Sequence, residues 1–285
     1  MEVGLALARP RSFWQAWRSV PIISKADART VFYTRDVLMA FWLTFLSKRF
    51  RENYFFELHT LSRFPHWVYR LVLVNSRGII TTNARKKDDV ARIFGIDRGC
   101  LLVRGNGIDL EEFAALPDKE EARRQLRITT FKPLVVYAGT VAQNYGAGVM
   151  DMARRLLGDE AEIRVISGEH KTLLLMMIAA DILVAPYLAA NDHFRLYMSP
   201  MKIKEYMAAG RVMIVSDLPA IREMLDESAA FFVEPGNAQA LTDMIRFVIT
   251  HPDEAAKRSR CAQERARDFT WAKRAEDIIH FIESR

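Results

Sequence analysis

The chain has 285 residues, half of them apolar, with 41 basic and 35 acidic side chains and a net charge of +6. That balance excludes a disordered chain or a collagen-like repeat, and the length holds one large domain or two of ordinary size. Two cysteines, Cys100 and Cys261, exclude a disulfide framework and a Cys-rich zinc site, so a reduced cytoplasmic compartment is expected.

Met1 to Arg11 holds two arginines and no small-residue cleavage site, which predicts no secretory signal. Trp14, Trp17 and a break at Pro21 follow. Thr30–Thr34 reads as a strand, Val37–Lys48 as a buried helix, Tyr54–Leu58 as a strand, Pro65–Leu73 as a helix and Gly78–Thr82 as a strand. Lys86–Phe94 reads as a helix stopped by Gly95, and Leu101–Arg104 as the next strand. Gly105, Asn106 and Gly107 break the pattern, and an acidic, Pro-containing stretch runs to Lys119. A second alternating block follows. Strands are expected at Leu134–Ala138, Ile163–Ser167, Ile182–Ala185, Val212–Val215 and Ala230–Val233, with helices at Gly148–Leu157, Leu173–Ala180, Lys202–Ala209 and Ile221–Leu225. Ala238–Thr250, Asp253–Arg267 and Trp271–Ser284 read as closing helices. Strands alternating with helices of this length predict an α/β protein with parallel sheets and right-handed crossovers, in two Rossmann-like domains.

The charge is uneven. Residues 1–105 carry 18 Lys/Arg and 8 Asp/Glu, and residues 106–285 carry 23 and 27. The basic excess of the first part points to an anionic partner, a membrane surface or an acidic substrate, or else to a solvated basic face. The most apolar run, Val37–Leu46, is half the roughly 20 residues a bilayer span needs. Basic and aromatic residues alternate from Arg49 to Arg70, a composition suited to peripheral attachment.

Several pieces, in this order, carry a resemblance: Val103–Asp109 with Phe113, Val135–Gly139 (VVYAG), Ala180–Pro186 (ADILVAP), Ser199–Gly210 (SPMKIKEYMAAG), Val212–Pro219 with Ile221-Arg222-Glu223, and Phe269-Thr270-Trp271 with Arg274-Ala275. Together they resemble family 4 (group 1) retaining glycosyltransferases of the GT-B type. The resemblance implies an acceptor-side domain over 1–108, a nucleotide-sugar donor domain over 109–268, and a C-terminal helix over 269–285 that packs back on the first domain. It also implies transfer of a sugar from a nucleotide donor to a glycan or lipid-linked acceptor, with no metal, no other cofactor and no nucleic acid as partner.

The physical logic agrees with that donor site. A helix N-terminus receives anions through its N–H groups. Ser199, Pro200 and Met201 stand at that terminus, Lys202 adds a positive charge, and Glu205 is placed to accept hydrogen bonds from ribose hydroxyls. Gly139, with Thr140 after it, occupies the first βα turn, where a residue without Cβ admits a phosphate. On the acceptor side, His59 closes a strand and Arg35 follows one; both are expected to face the acceptor or donor sugar, and His59, Lys202 and Glu205 are the expected catalytic set. Asp192, His193 and Arg195 lie in the loop before the donor helix.

The chain departs from the family in three ways. Tyr197 stands where members carry a second Glu, no basic residue follows Gly139 before Gly146, and Glu169-His170-Lys171 leads almost directly into the next helix. Too few residues precede Val31 for a complete first domain, so both domains are expected to be shortened. Two alternatives stand beside transferase activity: a degenerate member that binds a partner without turnover, and a sugar-nucleotide epimerase. Dinucleotide and P-loop fingerprints, a nucleophile elbow and metal-ligand histidine spacing are all missing. The arginines of the penultimate helix are balanced by acids, unlike a nucleic-acid stripe.

Overall fold

The computed structural model describes residues 12–61 and 63–285. The expectation of no secretory signal in Met1–Arg11 lies outside the described residues. The chain divides into two units: residues up to Arg104 together with Glu276–Arg285, and Gly105–Ala275.

The first unit holds β1 (Phe32–Thr34), β2 (Tyr54–Leu58), β3 (Gly78–Thr81) and β4 (Leu101–Val103), parallel and in the order β1-β2-β3-β4. Strands laid down in sequence with right-handed crossovers put every connecting helix on one face. Side chains alternate along β2. Tyr54, Phe56 and Leu58 join Leu43, Tyr69 and Val72 in the core beneath the helices. Phe55 and Ile80 point the other way, where Ile278 and Phe281 of the C-terminal helix Trp271–Glu283 cover them. All five residues of β2 are therefore buried. Arg104 donates from Nε to Asp277 at 2.6 Å and fastens the same helix.

Two expectations for this unit are corrected. Pro21 does not break the chain; it sits exposed within a helix, Ser12–Lys25, whose Ala16 and Ile23 are buried in the core. The loss of one backbone hydrogen bond at Pro21 is outweighed by that packing. The helix expected over Val37–Lys48 is two, Val37–Leu46 and Lys48–Glu52, because the Ser47 hydroxyl accepts from Phe50 N and starts a new helix.

The second unit holds β5 (Leu134–Ala138), β6 (Glu162–Ile166), β7 (Ile182–Ala185), β8 (Val212–Ser216) and β9 (Phe231–Val233), all parallel, in the order β6-β5-β7-β8-β9. Helices cover both faces. Leu134, Val136 and Ala138 enter one core and Val135 and Tyr137 the other. The chain leaves β5 towards β6 on one side and returns to β7 on the other, so the order reverses between β5 and β7. A crevice opens outside the carboxyl ends of strands at such a reversal. After β6 the chain passes through three residues into helix His170–Ala179 and on to β7, which leaves β6 at the sheet edge. The acidic stretch before β5 holds helices Leu110–Ala114 and Lys119–Gln125, capped by Asp109 and Asp118. Each strand expected from the sequence is found.

Candidate functional site

Gly139 follows β5 at the reversal point with φ +134°. A Cβ built there would stand 2.7 Å from Cε of Lys202. The glycine thus makes room for the lysine, and the two expected residues are in contact. Lys202 is buried, with 8 % of its surface exposed. Its Nζ lies 3.4 Å from the centre of the Tyr137 ring, with Tyr145 at 5.4 Å and Tyr187 at 5.5 Å. Among the described residues no hydrogen-bond acceptor reaches this nitrogen. Burial pulls its pKa down to about 7, against a smaller opposing pull from Glu205. Ring faces stabilise a cation only in part; the full electrostatic complement of this ammonium is an anion.

Lys202 projects from the first turn of the helix Met201–Ala208. Pro200 precedes that turn and no side chain caps it. The first-turn N–H groups of a helix have no intrahelical partner and carry its positive dipole end. The helix is held at this height by Tyr206, whose hydroxyl accepts from Ala138 N at 2.9 Å and lies 3.3 Å from the carbonyls of Ala138 and Val184. Lys204, two residues on, serves another purpose. It is 1 % exposed, donates to the Asn106 carbonyl at 2.5 Å and stands 3.4 Å from Ser199 Oγ. Ser199 is therefore engaged with Lys204, and Met201 Sδ accepts from Asn106 Nδ2 at 3.9 Å. Burial, and then Arg274, lower the Lys204 pKa to about 8.

Glu205 stands three positions after Lys202, on the same helix face, and is half-buried. Burial raises its pKa; His170 and Lys202 pull it down and Glu112 pushes it up. Thr140 is exposed, and its carbonyl accepts the Tyr137 hydroxyl. Leu188 N donates to Asn144 O at 3.1 Å, tying the loop after β5 to the loop after β7. Arg195 pairs with Asp192 at 2.9 Å on the surface, and the His193 ring packs on Phe194. Phe194 is the member of that loop that reaches the aromatic group, 5.4 Å from Tyr145.

In the first unit, His59 follows β2. Its Nε2 is 2.6 Å from Oε1 of Glu57, a buried carboxylate whose other oxygen accepts the Tyr33 hydroxyl. Buried Lys86 donates to the His59 carbonyl at 2.8 Å. Arg35 is exposed just beyond β1. Among the described residues no group of three His, Cys, Asp or Glu is arranged to hold a metal, and no helix is long and apolar enough to cross a membrane.

Sequence reasoning misses Tyr137, Tyr145, Tyr187 and Glu57. Tyr137 and Tyr187 do carry a readable signal, since each stands at the carboxyl end of a strand beside the reversal point.

Residues 126–251 match the family model described as glycosyl transferases group 1. Over 244 residues the chain is 22 % identical to D-inositol 3-phosphate glycosyltransferase of Xylanimonas cellulosilytica, covering 73 % of this chain and 57 % of that one. The chain spans about half the length of the curated relatives it matches. Among solved structures, HepE of Anabaena in complex with UDP superposes with a TM-score of 0.77 at 15 % identity, covering 95 % of this chain and 82 % of that one. A glycosyltransferase of Rickettsia africae gives 0.76 at 15 % identity, covering 100 % and 84 %. Residues 126–251 are thus similar to group 1 glycosyl transferases, and the two parallel sheets match the GT-B fold.

Proposed function

We propose that the chain is a glycosyltransferase that moves a hexose from a nucleotide-sugar donor to a glycan or lipid-linked acceptor, with retention at the anomeric carbon, in the cytoplasm and in the building of cell-envelope polysaccharide. The observation that carries this reading is the Lys202 ammonium, buried without a hydrogen-bond acceptor at the β5/β7 reversal. A diphosphate supplies the missing negative charge and takes hydrogen bonds from the uncapped N–H groups of the same helix. Similarity to a D-inositol 3-phosphate glycosyltransferase supports glycosyl transfer, and likeness to a protein solved with UDP supports a nucleotide donor.

In this reading Lys202 and the helix terminus hold the leaving diphosphate as its charge develops, which is electrostatic catalysis. Gly139 and Thr140 form the turn beside it, with Ser199, Pro200 and Met201 shaping the helix start. Glu205 accepts from the ribose hydroxyls. His59, oriented by Glu57, positions the sugar or acceptor hydroxyl, and Arg35 contacts the acceptor. The nucleotide sugar is substrate, and the positive potential comes from the chain itself.

A second reading, binding without turnover, draws on the loop Thr140–Gly146, which has no Lys or Arg, and on the short passage from β6 to the next helix. Calorimetry with UDP, ADP and GDP, followed by transfer and donor-hydrolysis assays with the matching sugar nucleotides, separates the two. Transferase activity requires both binding and turnover, with Glu205→Ala weakening nucleotide binding about 10- to 100-fold. No turnover, with or without binding of a nucleoside diphosphate, sinks the transferase reading and leaves a degenerate member that binds a partner or glycan.

A further inference from the structure

The helices of the first unit carry an outward face that its core does not use. Four of the chain's five tryptophans gather there. Trp14 and Trp17 lie against Phe13 at 5.8 and 6.4 Å, Phe13 against Trp42 at 4.9 Å, and Phe41 joins Trp42 at 5.2 Å to Trp67 at 5.7 Å. Trp14, Trp17 and Trp67 are 55–64 % exposed. Along the helix Ser12–Lys25 the exposed positions Trp14, Trp17, Arg18, Ile22 and Lys25 recur at helical spacing on one side, opposite buried Ala16 and Ile23. A contiguous apolar surface of this kind marks an interaction site rather than ordinary surface.

Its charge selects the partner. The helices Ser12–Lys25, Val37–Leu46 and His66–Val74 contain no Asp or Glu. Their formal charges are Arg18, Lys25 and Arg70, all exposed, with Arg63 exposed just before the third helix. Exposed tryptophans on helices whose only formal charges are basic, with Asp27 and Asp36 just outside the helix ends, match the boundary between acyl chains and anionic headgroups.

We propose that this face is a docking surface for an anionic phospholipid bilayer, on which the chain lies with the tryptophan rings at headgroup depth. None of the described helices is long enough to cross; the contact is peripheral. The inference uses no residue of the donor site and stands or falls apart from it.

The test is co-sedimentation of the full chain with phosphatidylcholine vesicles, with and without phosphatidylglycerol, at low and high salt. Binding is expected to need phosphatidylglycerol and to fall with salt. Arg18→Ala weakens it about fivefold, from about 1 kcal/mol per basic residue at such a surface. Combined Trp14→Ser, Trp17→Ser and Trp67→Ser abolishes it, with circular dichroism as the folding control. Should that variant misfold, Arg18→Glu with Arg70→Glu gives the same loss through charge alone. The proposal is overturned by no pelleting with anionic vesicles at low salt, by binding that ignores these substitutions, or by a dimer that hides the tryptophans and ignores lipid.

Discussion

Lys202 is held in the fold at an electrostatic cost that a ligand would remove. Below about pH 7 the folded and unfolded chains both carry its charge, and the fold bears the full burial penalty. Between about 7 and its ordinary 10.5 the unfolded chain binds the extra proton, so stability rises with pH through that window. Lys202→Met is therefore expected to stabilise the ligand-free protein at pH 6 by an amount on the order of a few kcal/mol. The gain should fade by pH 10, as followed by thermal melts across the range, while nucleotide binding is lost. A variant less stable than wild type at pH 6 would contradict this account. Gly139→Ala acts on the same contact from the other side. With φ at +134° and its Cβ 2.7 Å from Lys202, it should lower stability by about 1–3 kcal/mol and displace the ammonium. Denaturant melts and nucleotide titration measure the two effects.

At the level of elements, the helix Met201–Ala208 is tied to β5 and β7 by one hydroxyl. Tyr206→Phe leaves the Ala138 N–H without its 2.9 Å acceptor inside the core, at a cost of about 1–3 kcal/mol. It should also weaken nucleotide binding although Tyr206 itself is fully buried; unchanged affinity would show that the helix is held by packing alone. The strands were legible because β-branched and aromatic runs bounded by glycine leave little else for the chain to form. The helix Met201–Ala208 was legible from Pro200 before it and Gly210 after it. Helix Ser12–Lys25 was not, because a proline at mid-length reads as a break unless its partner helix is known. The contact of Gly139 with Lys202 was readable only as shared chemistry, a glycine turn and a basic helix start. The aromatic surround was hidden because its three tyrosines come from the end of β5, the loop after it and the end of β7. Local patterning cannot place such residues together until the strand order is known.

For the molecule as a whole, the two units differ in how they are encoded. The second is one continuous stretch, Gly105–Ala275; the first takes its opposite sheet cover from Glu276–Arg285. Phe281→Ala, which uncovers Phe55, should cost about 3 kcal/mol and lower only the first unit's transition. A fragment of residues 105–275 should unfold cooperatively by itself. A chain ending at Ala275 should keep that transition and lose or broaden the other, as read by calorimetry. A single unchanged transition in the truncated chain would show that the terminal segment is dispensable.

Synthesis runs from the first residue to the last, and that gives the split first unit a temporal consequence. Domains fold as they leave the ribosome, usually N-terminal first. Here the first sheet emerges with Phe55 and Ile80 bare, and the side chains that cover them, Ile278 and Phe281, are made only after the whole second unit, Gly105–Ala275. The later unit has its whole sequence available sooner. The two units should therefore mature in reverse, the nascent first sheet exposed to chaperones until Phe281 has emerged.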